Sequence, residues 1–486
     1  MEGFVFDVFL GAACAALLFS FILLLSACRH FGFRLGYAIS GGPDEPWTHG
    51  RNGSPAIGGT PQDSLCFVEL ACDDAIASYE ELIDTICAER NPRCAALVIP
   101  TLDRIGAAER QVILLARGLS SRGWRVTVVA LSGRGETAAR ELRAGGTEFV
   151  SLGMRKGVAD PRGWIRFIRW LRREQPDVVH AHLEQAAWLA RGSRLFTSAP
   201  IVIDTLHYAS SERIWRRLGY RFSRWMPDRV TAVSQSVAES HLAARAVSRR
   251  NLTILHNGVD VDDWRPNYRM RAVLRREMGL DDQFLWVAVG RLEMMKDYPT
   301  LLKAMAALPR SARLVIAGAG PLHENLSWLA SSLGLAGRIR FLGYEPNVKR
   351  WFQAADGFVL ASRWEGLPMA LLEAAACELP AAATDVPGIR EMVEDGETGM
   401  LAPAMDPAAL ACAMTAIMQA TPEERRAMGA SARQCVAQRF SLASALDCWE
   451  ELYDELLAKK FRTVSSRRAT AAKPRCAQTA GNTSTS

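Results

Sequence analysis

Two glutamates, Glu365 and Glu373, bracket a helix start in the stretch that runs from Arg363 through Trp, Glu, Gly, Leu, Pro, Met, Ala, Leu and Leu to Glu373. Asp356 to Ser362 ahead of it reads as a short buried strand, and Pro368 suits the first helical position because its missing N–H would be unpaired there. The segment is therefore a strand, a glycine turn and a helix N-terminus, where backbone N–H groups and the helix dipole attract an anion. Glu373 lies about one and a half turns, roughly 7 Å, into the helix, so the two carboxylates do not form one acid–base dyad. They hold either two different parts of one ligand or nothing at all. A second cluster follows the apolar run Leu285 to Val289, in Gly290-Arg291-Leu292-Glu293 with Lys296 just beyond. Either cation alone reads as a surface charge at a strand end; together, facing a helix start at Pro368, they suit a diphosphate. Gly318-Ala319-Gly320-Pro321 forms a further turn at a strand end. His180 and His182 close the run Asp177 to Ala181 and, by period two, share one face. His182, nearer the carboxyl end, is the better cleft residue, and His207 after Ile201 to Thr205 is a second candidate.

These residues need a scaffold that gathers strand ends. From Ala95 onward, short apolar runs alternate with helical stretches: Ala95 to Pro100, Arg125 to Leu131, Glu148 to Leu152, Asp177 to Ala181, Ile201 to Thr205, Arg229 to Ala232 and Leu252 to Leu255. After the turn Asn257-Gly258-Val259-Asp260 a second series begins: Leu285 to Val289, Arg313 to Ala317, Ile339 to Leu342, Gly357 to Leu360 and Ala381 to Ala383. The pattern predicts an α/β fold of two Rossmann-like domains, residues 95–260 and 261–460, with a ligand cleft between the carboxyl ends of their strands. Helices are expected over 406–460 and a disordered tail over 461–486.

The 486 residues, 49% hydrophobic and 23% charged, fit two domains of ordinary size plus extras. Val8 to Cys28 is an unbroken apolar or small run that as a helix would span about 31 Å, enough for a hydrocarbon core. Glu2 and Asp7 precede it and Arg29, His30 and Arg34 follow, which predicts a single-pass helix in the cytoplasmic membrane with the rest of the chain cytoplasmic. A cleaved signal peptide would want a basic start, which is absent. Residues 29–94 read as a linker with one amphipathic helix over 73–90. The eleven cysteines show no Cys-x-x-Cys pair and read as reduced thiols, and no His is spaced as a zinc ligand.

Over about residues 95–445 the chain resembles the retaining glycosyltransferases of family 4, which have the GT-B fold of two facing Rossmann domains. The resemblance rests on the Glu365-x7-Glu373 stretch within strand, turn and helix, downstream of Arg291 and Lys296. It implies a nucleotide-sugar donor, read as a UDP-sugar, with no metal and no cofactor. By the same resemblance Arg291 and Lys296 hold the donor diphosphate, Glu365 contacts the sugar hydroxyls and Glu373 binds the ribose. Gly290, Gly318 and the backbone of Gly366, Leu367, Pro368, Met369 and Ala370 line the donor side, with the loop after Arg338 to Gly343 near the base. On the acceptor side, Gly106-Ala107-Ala108-Glu109 stands where the family has Gly-Gly-x-Glu, and His180, His182 and His207 flank the same cleft.

Two stretches carry a basic face. Arg162 to Arg173 carries five arginines and no acid, with Arg162, Arg166, Arg169 and Arg173 opposite Trp164, Ile165, Phe167, Ile168 and Leu171, and in Arg213 to Trp225 five arginines lie opposite Ile214, Trp215, Leu218, Phe222 and Trp225. Such helices either pack their apolar faces on the first sheet or meet an anionic membrane. A lipid-linked or polysaccharide acceptor follows as the expectation; nucleic acid fits poorly, since no recognised binding motif accompanies the arginines. The alternatives are another GT-B enzyme, such as a nucleotide-sugar epimerase, and a catalytically silent scaffold that recruits a transferase.

Overall fold

A computed structural model describes residues 93–155, 160–197, 201–209, 214–280 and 283–471. The apolar run 8–28, the linker and the helix expected over 73–90 lie outside the described residues. Among the described residues no helix is long and apolar enough to cross a membrane.

The first half alternates β1 (Cys94–Thr101), α1 (Ala107–Ser121), β2 (Arg125–Ser132), α2 (Glu136–Ala144), β3 (Glu148–Ser151), α3 (Pro161–Glu174), β4 (Val178–His182), α4 (Glu184–Ser193), β5 (Ile201–Leu206), α5 (Ile214–Ser223), β6 (Arg229–Ala232), α6 (Gln235–Ala243) and β7 (Leu252–Ile254). The second holds α7 (Tyr268–Glu277), β8 (Phe284–Val289), α8 (Tyr298–Ala307), β9 (Ala312–Ala317), α9 (His323–Ser332), β10 (Ile339–Gly343), α10 (Lys349–Ala354), β11 (Gly357–Leu360), α11 (Met369–Ala376), β12 (Ala381–Thr384), α12 (Pro387–Arg390), β13 (Gly399–Ala402), α13 (Pro407–Gln419), α14 (Pro422–Arg439) and α15 (Leu442–Ala471). Both sheets are parallel throughout, in the orders β3-β2-β1-β4-β5-β6-β7 and β10-β9-β8-β11-β12-β13. Strand order reverses between β1 and β4 and between β8 and β11, the switch points where such sheets open a crevice. The central strands are continuous apolar runs because helices cover both faces: Ala96 to Ile99 and Trp286 to Ala288 are buried. Several helices start as their sequences dictate, with an acceptor side chain ahead of proline. Asp160 Oδ1 accepts from the N–H groups of Arg162 at 3.0 Å and Gly163 at 3.2 Å, and Asp406 before Pro407 repeats the device.

Four features depart from the sequence expectations. Pro368 is the N-cap, one residue ahead of the helix, with an extended ψ of 105°. Strand β13 pairs with β12 at the sheet edge, although its four residues are too short to announce themselves. Helix α15 continues to Ala471, into the stretch expected as a disordered tail. The same helix leaves the second domain altogether: Leu446, Trp449, Leu452, Tyr453, Leu456 and Leu457 join the core around β1, β2 and α1. Trp124 Nε1 donates to Glu450 at 2.9 Å, and a side chain at Gly118 would stand 2.4 Å from Leu446, so α1 and α15 meet at glycine distance. The chain crosses between the halves twice, side by side, at a parallel bridge between Val259 and Ser441.

The two basic helices also diverge. Helix α3 buries Phe167, Trp170 and Leu171, and its Arg166 and Arg172 donate to the carbonyls of Leu152 and Phe196, so it behaves as an ordinary covering helix. Helix α5 buries Tyr220 but leaves Phe222 exposed, and Trp225 just beyond its end is exposed as well.

Candidate active site

The second-domain half of the site is assembled from two strand-end loops locked together. After β8 the chain passes Gly290 and makes one 3₁₀ turn, Met294–Lys296, before Asp297 turns it into α8 with a left-handed φ of 43°. That conformation is unfavourable for a residue with a side chain, and the buried carboxylate is held in it by Thr300 Oγ1 at 2.9 Å and by Arg363 Nε at 3.2 Å. Arg363 N–H also donates to the Met295 carbonyl at 2.9 Å, which ties the Lys296 loop to the loop after β11. As a result Lys296 Nζ and Ser362 Oγ both donate to Glu365 Oε1, each at 2.5 Å. The Glu365 side chain is 6% exposed and that of Lys296 13%. Glu365 Oε2 has no partner among the described residues, so the carboxylate is fixed by one oxygen and offers the other. Arg291 stands out at 60% side-chain exposure, 3.0 Å from Glu293.

Glycines make these loops meet backbone to backbone. A Cβ at Gly318 would lie 1.9 Å from the Gly290 carbonyl oxygen, and Gly318 N–H donates to the Gly343 carbonyl at 2.8 Å. Gly290 is itself fixed by Tyr298 Oη, which donates to its carbonyl at 2.9 Å. Beyond Gly366 the side chains of Leu367 and Met369 turn into the core, and Ala370 packs against it, so this stretch can present only backbone. No side chain caps α11, which leaves its first N–H groups for a ligand. Glu373 is only partly open, protein surrounds it, and it has no hydrogen-bond partner among the described residues. Burial pushes its carboxyl up to about 8, opposed by the charge of Arg110.

The first half supplies the facing wall. Gly106 starts α1, its N–H donating to Glu109 Oε2 at 3.0 Å. Ala107 takes the first helical position with its methyl exposed, so the missing second glycine is accommodated without displacing the turn. Burial raises the Glu109 carboxyl, and hydrogen bonds from its own backbone and from Gly106, then the charge of Arg291, pull it back. Tyr208 lies in the same cleft; burial raises its phenol, and it feels Glu109, Arg291, Glu365 and Glu293. The halves also touch directly. Gln111 Nε2 donates to the Gly258 carbonyl at 2.8 Å and to Met369 Sδ at 3.3 Å, and a Cβ at Gly366 would lie 2.5 Å from the His207 carbonyl oxygen. Glu391 accepts from the N–H groups of Gln235 and Ser236, both at 2.9 Å, and so caps α6 from the other domain.

The three histidines separate into two roles. His180 and His182 share a face as period two requires, with ring centroids 4.1 Å apart. His180 is held by Tyr453 Oη at 2.7 Å and Thr205 Oγ1 at 2.6 Å, which leaves no nitrogen for an acceptor. It is a support between β4 and α15, and the return of α15 is what the sequence reading lacked. His182 Nδ1 meets His207 Nε2 at 3.1 Å, while its own Nε2 is buried and unpartnered. Burial, with His180 and His207 nearby, holds the His182 imidazole well below its usual pKa; burial alone brings His207 to about 4. Both rings are neutral at physiological pH.

The structure thus brings Arg291, Lys296, Glu365, Gly290, Gly318, the 366–370 backbone, Glu373, Gly106, His182 and His207 to one interdomain cleft. Sequence reasoning missed Ser362, Tyr208 and Arg110 as site residues. Ser362 stands three residues before Glu365, the spacing of a turn that returns a side chain onto its neighbour, and Tyr208 directly follows His207.

Two parallel Rossmann-like halves whose switch points face each other across such a cleft define a GT-B architecture. Residues 107–263 match Glycosyltransferase Family 4 and residues 271–435 match Glycosyl transferases group 1. A D-inositol 3-phosphate glycosyltransferase of Mycobacterium avium (strain 104) is 31% identical over 308 residues, 59% of this chain and 70% of the relative. A UDP-Gal:alpha-D-GlcNAc-diphosphoundecaprenol alpha-1,3-galactosyltransferase of Escherichia coli is 25% identical over 321 residues, 62% of this chain and 81% of the relative. Among solved structures, Anabaena HepE in complex with UDP superimposes with a TM-score of 0.66 at 18% identity, over 74% of this chain and 99% of that one. The chain belongs to the group 1, family 4 glycosyltransferases and acts on nucleotide sugars.

Proposed function

We propose that this enzyme transfers a sugar from a UDP-sugar, with retention and without a metal, to a lipid-linked or polysaccharide acceptor at the cytoplasmic face of a membrane. The observation that carries the reading is the Lys296–Glu365–Ser362 cluster at the β8/β11 switch point, beside exposed Arg291 and the uncapped start of α11. Departure of the donor sugar leaves negative charge on the diphosphate. Arg291, Lys296 and the first N–H groups of α11 are charges and dipoles fixed in advance around that position. The free oxygen of Glu365 takes a sugar hydroxyl, Glu373 takes the ribose, and His182 Nε2, buried and unpartnered, takes a hydroxyl from the facing wall. An acceptor hydroxyl held on the same face as the leaving group attacks there, and the departing phosphate oxygen accepts its proton. Glu365, tied to a cation and a hydroxyl and with no acid beside it, binds and orients rather than forming a glycosyl ester. The UDP and lipid-diphosphate chemistry is that of the E. coli relative's name.

A panel of UDP-sugars, read by UDP release with membrane lipid extract as acceptor and with EDTA present, tests the reading. The expected result is release from one sugar, undiminished by EDTA and with the anomeric configuration kept in the product. No release from any donor, together with no rise in Tm on adding UDP, would overturn it.

A further inference from the structure

The exposed end of α5 and the facing end of α6 form a surface that the transfer reaction does not use. Residues on α5 and just beyond its end fall into three stripes. Tyr220 and Ser223 point inward, where Arg191 donates to Ser223 Oγ at 2.7 Å and lies 4.6 Å from the Tyr220 ring. Arg217, Arg221 and Arg224, at spacings of four and three, make an exposed stripe. Phe222 and Trp225 stand beside it at 67% and 71% exposure. Across a shallow groove, Arg245 and Arg249 are exposed on the turn after α6, and Arg250 follows. None of these six arginine side chains has an ion-pair or hydrogen-bond partner among the described residues. This contrasts with α3, whose Arg166 and Arg172 are bonded to carbonyls. The buried Arg191–Asp204 pair, at 2.6 Å, makes the presentation rigid by fixing α5 through Ser223.

We propose that this surface docks on an anionic lipid bilayer, with Phe222 and Trp225 at the headgroup boundary and the six arginines on acidic headgroups. Two large aromatics flanked by unpaired arginines are the chemistry of an interfacial anchor: the rings enter the boundary region while the guanidinium groups stay with the phosphates. A protein partner would be expected to meet charges of both signs, whereas Glu239 is the sole acid lining the groove. The inference deepens the membrane-facing part of the proposed function and rests on it, and it names the surface through which the first domain meets the membrane.

The test uses the full chain in nanodiscs and reads hydroxyl-radical oxidation of single side chains by mass spectrometry. Trp328, 73% exposed in the second domain, is the internal reference. In discs of phosphatidylcholine with phosphatidylglycerol, Phe222 and Trp225 are expected to oxidise several-fold more slowly than in pure phosphatidylcholine, with Trp328 unchanged. R221A/R224A should raise the disc concentration needed for half-maximal shielding about 25-fold, from about fivefold per arginine, the equivalent of about 1 kcal/mol each. High salt should weaken it too. Shielding already complete in neutral discs would overturn the proposal in favour of cover by protein. Shielding by a single-stranded oligonucleotide but not by acidic lipid would overturn it in favour of nucleic acid. UDP release in detergent, which R221A/R224A should leave unchanged, reads the catalytic reading separately, so either can fail alone.

Discussion

Replacing Lys296 separates what its ion pair does for the fold from what its charge does for the reaction. Glu365 is nearly enclosed and, among the described residues, Lys296 is its only cationic partner, so K296M leaves a carboxylate with Ser362 alone. Removing one member of a buried pair costs about 3–5 kcal/mol. The partial exposure of Lys296 and the surviving Ser362 bond reduce this to about 2–3 kcal/mol, and for a folded unit the size of Arg93–Ser486 that lowers Tm by about 3–4 °C. The double variant K296M/E365Q removes both charges and should return Tm to near the parent, a coupling of about 2 kcal/mol. Turnover behaves differently. A fixed cation at a departing diphosphate is worth on the order of 10²-fold or more, so K296M should lose that factor and the double variant should not regain it. Differential scanning fluorimetry and UDP release on the same four proteins check both halves. If K296M keeps its Tm and its kcat/KM within about threefold of the parent, Lys296 is a surface lysine and the donor site has been misplaced.

Glu373 makes the free enzyme sensitive to alkali. Its folded pKa, about 8, lies above the ordinary carboxyl value of 4.5, so the folded state holds the proton more tightly and stability falls as pH rises from about 4.5 to 8. E373Q should flatten that slope in chemical denaturation, while UDP affinity by calorimetry, rising toward pH 8 in the parent, loses its pH dependence. The histidines act in the opposite sense: His180, near 3, His182 and His207 all sit below the usual 6.5, so the unfolded chain takes up protons first and stability drops below pH 6.5 by up to about 4 kcal/mol per unit for the three together. Urea midpoints from pH 7 to 5 measure it, and H180F should reduce the slope by about a third. G366A places a methyl 2.5 Å from the His207 carbonyl oxygen and 3.3 Å from Val237. The halves must then separate, so KM for the donor should rise with little change in Tm; small-angle scattering would report the wider cleft.

Most of the scaffold was legible because buried parallel strands advertise themselves as uninterrupted apolar runs, and strand ends fix which residues can reach a crevice. Gly290, Arg291, Lys296 and Glu365 were readable on that ground. What the sequence hid are contacts between remote segments. The period that put His180 and His182 on one face could not say that Tyr453, 273 positions later, would take up His180. Helix α15 reads as another amphipathic helix of the second domain, and nothing local to Trp449 or Tyr453 records that its apolar side belongs to the first. Glu391, an ordinary surface acid in sequence, caps a helix 155 positions earlier. The wheel of Arg213 to Trp225 set Phe222 and Trp225 among the apolar residues opposite the arginines, yet both are exposed and burial went to Tyr220, which it left aside.

The paired crossing at Val259 and Ser441 makes the second domain an insertion into the first. Val259 N–H donates to the Phe440 carbonyl at 2.9 Å and Leu442 N–H to the Val259 carbonyl at 2.8 Å, so the excursion out and the return are stitched together at one point. The first domain is discontinuous in sequence yet closed in space, since neighbouring parallel strands lie about 5 Å apart and one or two residues span that step. A chain that runs from Arg93 to Gly258, takes a short link and resumes at Ser441 would keep the α1–α15 core entire. The excised segment would have its own two ends side by side, ready for circular permutation.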